Sequence, residues 1–73
     1  MDPRERLQTL ERVGEDYYDA MYDARNPVGD YADAKDAFRE AIVLARELGD
    51  AATVERLEAR LAHIKAVFRS QFS

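Results

Sequence analysis

The residues best equipped for chemistry lie close together: Glu15, Asp16, Tyr17, Tyr18, Asp19, Met21, Tyr22 and Asp23. On a helix, Glu15, Asp19 and Asp23 fall one turn apart in a row, and Tyr18 and Tyr22 form a second row beside it. Such a face can hold a basic or amphipathic segment, the carboxylates supplying charge and the rings supplying area and cation–π attraction to Arg or Lys. Like charges one turn apart weaken an isolated helix slightly, which makes the acidic row unexpected in pure scaffold. The competing reading is a solvated acidic face with tyrosines at the edge of a core. Carboxylates strung along one exposed helix do not close into an oxygen cage, and a calcium loop needs a glycine turn that this row lacks. No metal site is predicted.

Nothing else in the chain assembles into a catalytic set. His63 is the single histidine, flanked by Ala62 and Ile64, and the chain contains no cysteine. Without a nucleophile or an orienting partner beside it, it reads as a surface or boundary residue. The basic side chains Arg56, Arg60, Lys65 and Arg69 gather near the C-terminus, opposite an acidic front. That asymmetry fits pairing across helices within one chain, or head-to-tail attraction between copies, and single surface pairs are worth little. No cofactor is expected.

Three helices must position these groups. Asp2 can cap the first, Pro3 suits the first helical position, and Glu5 follows three residues after the cap. Leu7, Leu10, Gly14, Tyr17, Met21 and Ala24 then recur in steps of three and four, which marks one helix face. On this reading Tyr18 and Tyr22 lie off the seam. Asn26, Pro27, Val28 and Gly29 end the helix, because the residue before proline is driven out of the helical region. Asp30 caps a second helix with the seam Tyr31, Ala34, Phe38, Ala41, Ala45 and Leu48. Gly49 stops it and Asp50 caps a third, with the seam Val54, Leu57, Leu61, Ile64 and Phe68 running toward Phe72. The expected spans are about 3–25, 31–48 and 51–71, as an antiparallel bundle in a single domain covering residues 1–73, because short connections make sequential neighbours antiparallel. Along the second helix the run from Ala41 to Ala45 is apolar all round. Val43 points away from the seam and is therefore a candidate oligomer or partner contact, as is Phe72 near the chain end.

Composition narrows the classes of function. A chain of 73 residues with no cysteine lacks the covalent or metal supports common in small folds, so tight helix packing or association must stabilise it. Hydrophobic residues at 47% and charged residues at 36% are globular proportions. A net charge of −4 without a basic run argues against nucleic acid, where phosphate neutralisation dominates affinity. The charged N-terminus and the lack of a long apolar segment predict neither a signal peptide nor a membrane span, and with no cysteine the expected location is cytoplasmic.

The phrase Gly29-Asp30-Tyr31, then Ala34, Phe38, Ala41 and Leu44, resembles the second helix of a tetratricopeptide repeat. In that family a small residue, an aromatic four later and a small residue three further on let two helices pack closely. Val13, Gly14 and Tyr17 are similar to the family's first-helix pattern, and Leu44-Ala45 through Leu48-Gly49-Asp50 is similar to the end of its longer repeats. The third helix lacks the pattern in register, and arrays need about three units, so a helical hairpin plus a closing helix is implied. The phrase and the overall plan also resemble the microtubule-interacting-and-trafficking domain, a three-helix bundle of similar length. Both families bind peptides or helices of other proteins. By this resemblance Glu15, Tyr18 and Tyr22 fall near the groove-lining side of the first helix.

The sequence therefore predicts a non-enzymatic interaction module or adaptor, binding a peptide or helix of a partner through Glu15, Tyr18, Asp19, Tyr22 and Asp23. Homo-oligomerisation through Val43 or Phe72 and a stabilising role within a larger complex are the related alternatives. An enzyme of this plan would resemble the small helical chorismate mutases. Their dianionic substrate needs arginines and a lysine aimed into one pocket. Arg12, Arg25 and Lys35 are present, but Pro27 breaks the first helix early and the surroundings are acidic.

Overall fold

Each helix begins where a side chain or a proline answers the unpaired N–H groups of the first turn. A computed structural model of the chain describes residues 2–23, 25 and 27–72. They form α1 (Pro3–Asp23), α2 (Pro27–Glu47) and α3 (Ala51–Phe72), with no strand among the described residues. Asp2 caps α1, its Oδ1 accepting from the Arg4 N–H at 2.9 Å. Asp50 caps α3, accepting from the Thr53 N–H at 3.1 Å and from the Thr53 hydroxyl at 2.7 Å. These bonds hold the Asp50 carboxyl below its ordinary range, with Arg4 nearby adding to the effect.

Between α2 and α3 the chain turns through Gly49, whose φ of +70° suits glycine and few other residues. The Asp50 N–H donates to the Ala45 carbonyl and the Gly49 N–H to the Arg46 carbonyl, each at 3.0 Å. This is the paired bonding that closes a helix at a left-handed residue. The other end of α2 departs from expectation. It starts at Pro27, four positions before Tyr31, so Asp30 lies in its first turn and does not cap it. Proline's fixed φ and missing N–H fit the first helical position, and Asp30 still meets the positive end of the helix dipole there. α1 ends at Asp23, short of Arg25. Ala24 and Asn26, assigned by sequence to the end of the first helix, lie outside the described residues.

α2 packs against both neighbours, while α1 and α3 meet mainly through long side chains. The three helices form an all-α bundle with a flattened cross-section, 36 × 22 × 12 Å in Cα extent. Phe38, Met21, Leu57 and Ile64 are its largest fully enclosed side chains. The α1–α2 seam is built from small residues. Gly14, Ala34 and Ala41 are buried around the Phe38 ring, and a Cβ on Gly14 would lie 2.7 Å from Phe38 Cε2. Ordinary carbon contacts are about 3.5–4.0 Å, so glycine is what permits this approach.

One seam residue is misplaced by sequence periodicity. Tyr18, read as lying off the seam, is buried at 8% exposure, while Tyr17, read as part of it, is 36% exposed. The reason is that α1 has two neighbours. Leu7, Gly14 and Met21 look toward α2, and a second stripe of Glu11, Glu15, Tyr18 and Tyr22, stepping by four, three and four, looks toward α3.

Candidate functional site

The acidic and aromatic row of α1 divides between two surroundings. Glu15 is gripped by Arg60, whose Nε reaches Oε2 at 2.8 Å and whose Nη2 reaches Oε1 at 2.6 Å. One turn earlier Glu11 takes Arg56 in the same forked manner, with Nη2 to Oε2 at 3.2 Å. Both pairs are separated by 45 positions, so they fix α1 and α3 parallel and in register. Each carboxylate raises its guanidinium's pKa further by accepting hydrogen bonds from it. The charge asymmetry of the sequence is thus taken up inside one chain at these pairs.

Tyr18 lies beneath the Glu15–Arg60 pair. The Arg60 guanidinium carbon stands 5.0 Å from the centre of its ring. Its hydroxyl shares a hydrogen bond with the Tyr22 hydroxyl at 3.0 Å. That bond raises the Tyr18 pKa above its ordinary 10.0, burial adds to the rise, and the Arg60 charge opposes it. From Tyr22 the rings continue across the bundle. Tyr22 meets Phe72 edge-on at 5.8 Å, Phe72 meets Phe68 at 5.7 Å, and Phe68 stacks on Tyr31 of α2 at 3.9 Å. Lys35 caps the far end, 4.4 Å above the Tyr31 ring. This chain of rings locks the C-terminal turns of α3 onto both other helices.

Of the five residues assigned to partner binding, Glu15, Tyr18 and Tyr22 therefore face α3, with Tyr22 still 47% exposed, while Asp19 and Asp23 remain on the surface. Phe72 is half-buried against Tyr22 and Phe68, and Val43 is 53% exposed. His63 is exposed, and no group of three or more metal-ligating side chains occurs among the described residues. No helix of the described residues is long and apolar enough to cross a membrane.

A surface of which sequence reasoning singled out only Val43 lies on the side of the α1–α2 hairpin away from α3. Arg6, Leu10, Val13, Tyr17 and Ala20 step by four, three, four and three along α1, forming a single stripe of which Val13 and Tyr17 are exposed. On α2, Asp33, Asp36, Glu40, Leu44 and Glu47 form a row stepping by three or four, of which Glu40, Leu44 and Glu47 line a hollow with Leu10 and Arg6 of α1. Two hollows open along this face. Leu10, Val43, Leu44 and Glu47 are among the residues lining one, of about 370 Å³; Val13, Tyr17, Ala20 and Asp30 are among those lining the other, of about 350 Å³. The signal was present in the sequence as Val13 and Tyr17, four apart, once Tyr17 is released from the core. No family model matches the chain, and no curated protein or solved structure matches it.

Proposed function

We propose that this chain is a small helical interaction module that binds a helix of another protein and catalyses no reaction. The observation that carries this reading is the apolar stripe on α1: Leu10, Val13 and Tyr17, with Val43 and Leu44 across the first hollow, stand together on one face while α3 covers another. Contiguous apolar surface rimmed by charge is what a helix-in-groove contact requires. The residue types suited to chemistry are meanwhile spent on structure, Glu11 and Glu15 on arginines and Tyr18 on packing. The resemblance to tetratricopeptide and microtubule-interacting-and-trafficking domains, both helical binders of peptides or helices, supports the same class of function, as does the small-residue seam around Phe38. A cytoplasmic adaptor is the setting we assign to it.

Capture of partners from the native cell, compared between the full chain and Val13→Ser/Tyr17→Ser, tests this. Because Val13 and Tyr17 are only 37% and 36% exposed, the double variant is first matched to the wild type by circular dichroism, so that loss of capture reads binding and not folding. The expected result is a partner held by the wild type and lost by the variant. An identical captured set from both proteins would remove the face from the proposal. Tyr18 is unsuitable for such a test, because its burial would mix loss of folding with loss of binding.

A further inference from the structure

The occupant of this face can be narrowed by charge, on the premise above that the face binds a helix. Every charged member of the α2 row is acidic: Asp33, Asp36, Glu40 and Glu47. None of them, nor Asp16 on the α1 side, takes part in an ion pair among the described residues. Of the three basic residues of α2, only Arg39 lines this face, in the first hollow with Glu40 and Glu47. Arg46 pairs with Glu58 of α3, and Lys35 covers the Tyr31 ring. The groove thus has an apolar wall, Leu10, Val13 and Tyr17, and an α2 wall on which carboxylates unpaired among the described residues outnumber the single base, Arg39. From Arg6 to Ala20 it runs for about 21 Å, the length of roughly four helical turns.

We infer that this groove receives a cationic amphipathic helix of about four turns, its apolar stripe on Leu10, Val13 and Tyr17 and its Lys or Arg side chains over the α2 carboxylates. A second copy of the chain fits poorly. A two-fold contact presents the same patch to itself, so two acidic rows would meet with only Arg6 and Arg39 of the rim to oppose them. A cationic helix gains charge attraction from the carboxylates of the α2 row and meets like charge only at Arg6 and Arg39.

The full chain is titrated with three labelled peptides of about four turns, followed by fluorescence anisotropy at low and high salt. One carries a leucine stripe beside a lysine and arginine row, the second is that peptide scrambled, and the third carries glutamate in place of the bases. The expected result is that the first binds at least about tenfold more tightly than the others and weakens as salt is raised. Glu40→Lys/Glu47→Lys should reduce it to the level of the scrambled peptide, and Val13→Ser/Tyr17→Ser should weaken it as well. If the glutamate peptide binds as well as the basic one and Val13→Ser/Tyr17→Ser abolishes both, the charge assignment falls and the binding face survives. If no peptide binds, or Val13→Ser/Tyr17→Ser leaves binding unchanged, both fall. A sedimentation mass of two chains that this variant returns to one gives the face to a second copy and overturns the inference.

Discussion

Replacing Gly14 by alanine should destabilise the protein, against the usual sign of that change within a helix. A Cβ there would lie 2.7 Å from Cε2, 2.9 Å from Cδ2 and 3.1 Å from Cζ of Phe38. Relief to ordinary contact requires a shift of about 0.8 Å at the closest atom. The ring cannot supply it by swinging outward, since Phe38 has no exposed surface and Ala34 and Ala41 beside it are equally enclosed. α1 and α2 must therefore separate along a seam of small residues, an overpacking cost of about 1–3 kcal/mol. Alanine's helix propensity offsets about 1 kcal/mol of it. The balance is a loss of about 1 kcal/mol, and a domain of this size then melts about 4–8 °C lower. Circular dichroism during heating and urea unfolding measure it directly. Repeating the substitution in a Phe38→Leu background removes the ring atoms that clash, so the sign should reverse and the cycle should show a coupling of about 1 kcal/mol or more. A Gly14→Ala protein that melts higher than wild type, with no coupling to position 38, would show that the two helices do not approach as described.

Three further outcomes follow from the geometry. Tyr22→Phe removes the main cause of the raised Tyr18 pKa, so the Tyr18 phenol should titrate closer to 10.0 in near-ultraviolet difference absorbance. Because the folded-state pKa is raised, the associated stability is present below the unfolded value near 10.0 and is lost as pH rises through the folded one. The variant should lose less stability than wild type in that alkaline window. Asp50→Ala should lower stability at neutral pH in urea unfolding, through loss of the α3 cap. Since the Asp50 carboxyl is depressed below 3.8, its contribution is present above that value and fades as pH falls through the folded pKa, so the gap between wild type and variant should close in acid. Gly49→Ala meets no atom within 4 Å, yet should lose about 1 kcal/mol from the left-handed backbone alone, with Gly49→Asn intermediate in the same melting assay.

Much of this molecule could be read from its residues alone, and the reason is local. Helix periodicity, the cap at Asp2 and the stop and cap at Gly49 and Asp50 depend on groups within a few positions of one another. The same dipeptide at Gly29 and Asp30 shows where local reading ends. There it lies inside the first turn of α2, because Pro27 upstream has already started the helix. The candidate site was harder still. Tyr17 and Tyr18 differ by about 100° around α1, and both are plausible core residues by type and spacing. Which of them is enclosed depends on the side from which α3 approaches. That side is set by the forked Glu11–Arg56 and Glu15–Arg60 pairs and by the Tyr31–Phe68 stack, contacts between residues 37 or more positions apart. Periodicity determines that a helix has a buried face. Only the assembled bundle decides how many neighbours share it, and hence that Tyr18 turns inward and Tyr17 stays on the surface with Val13.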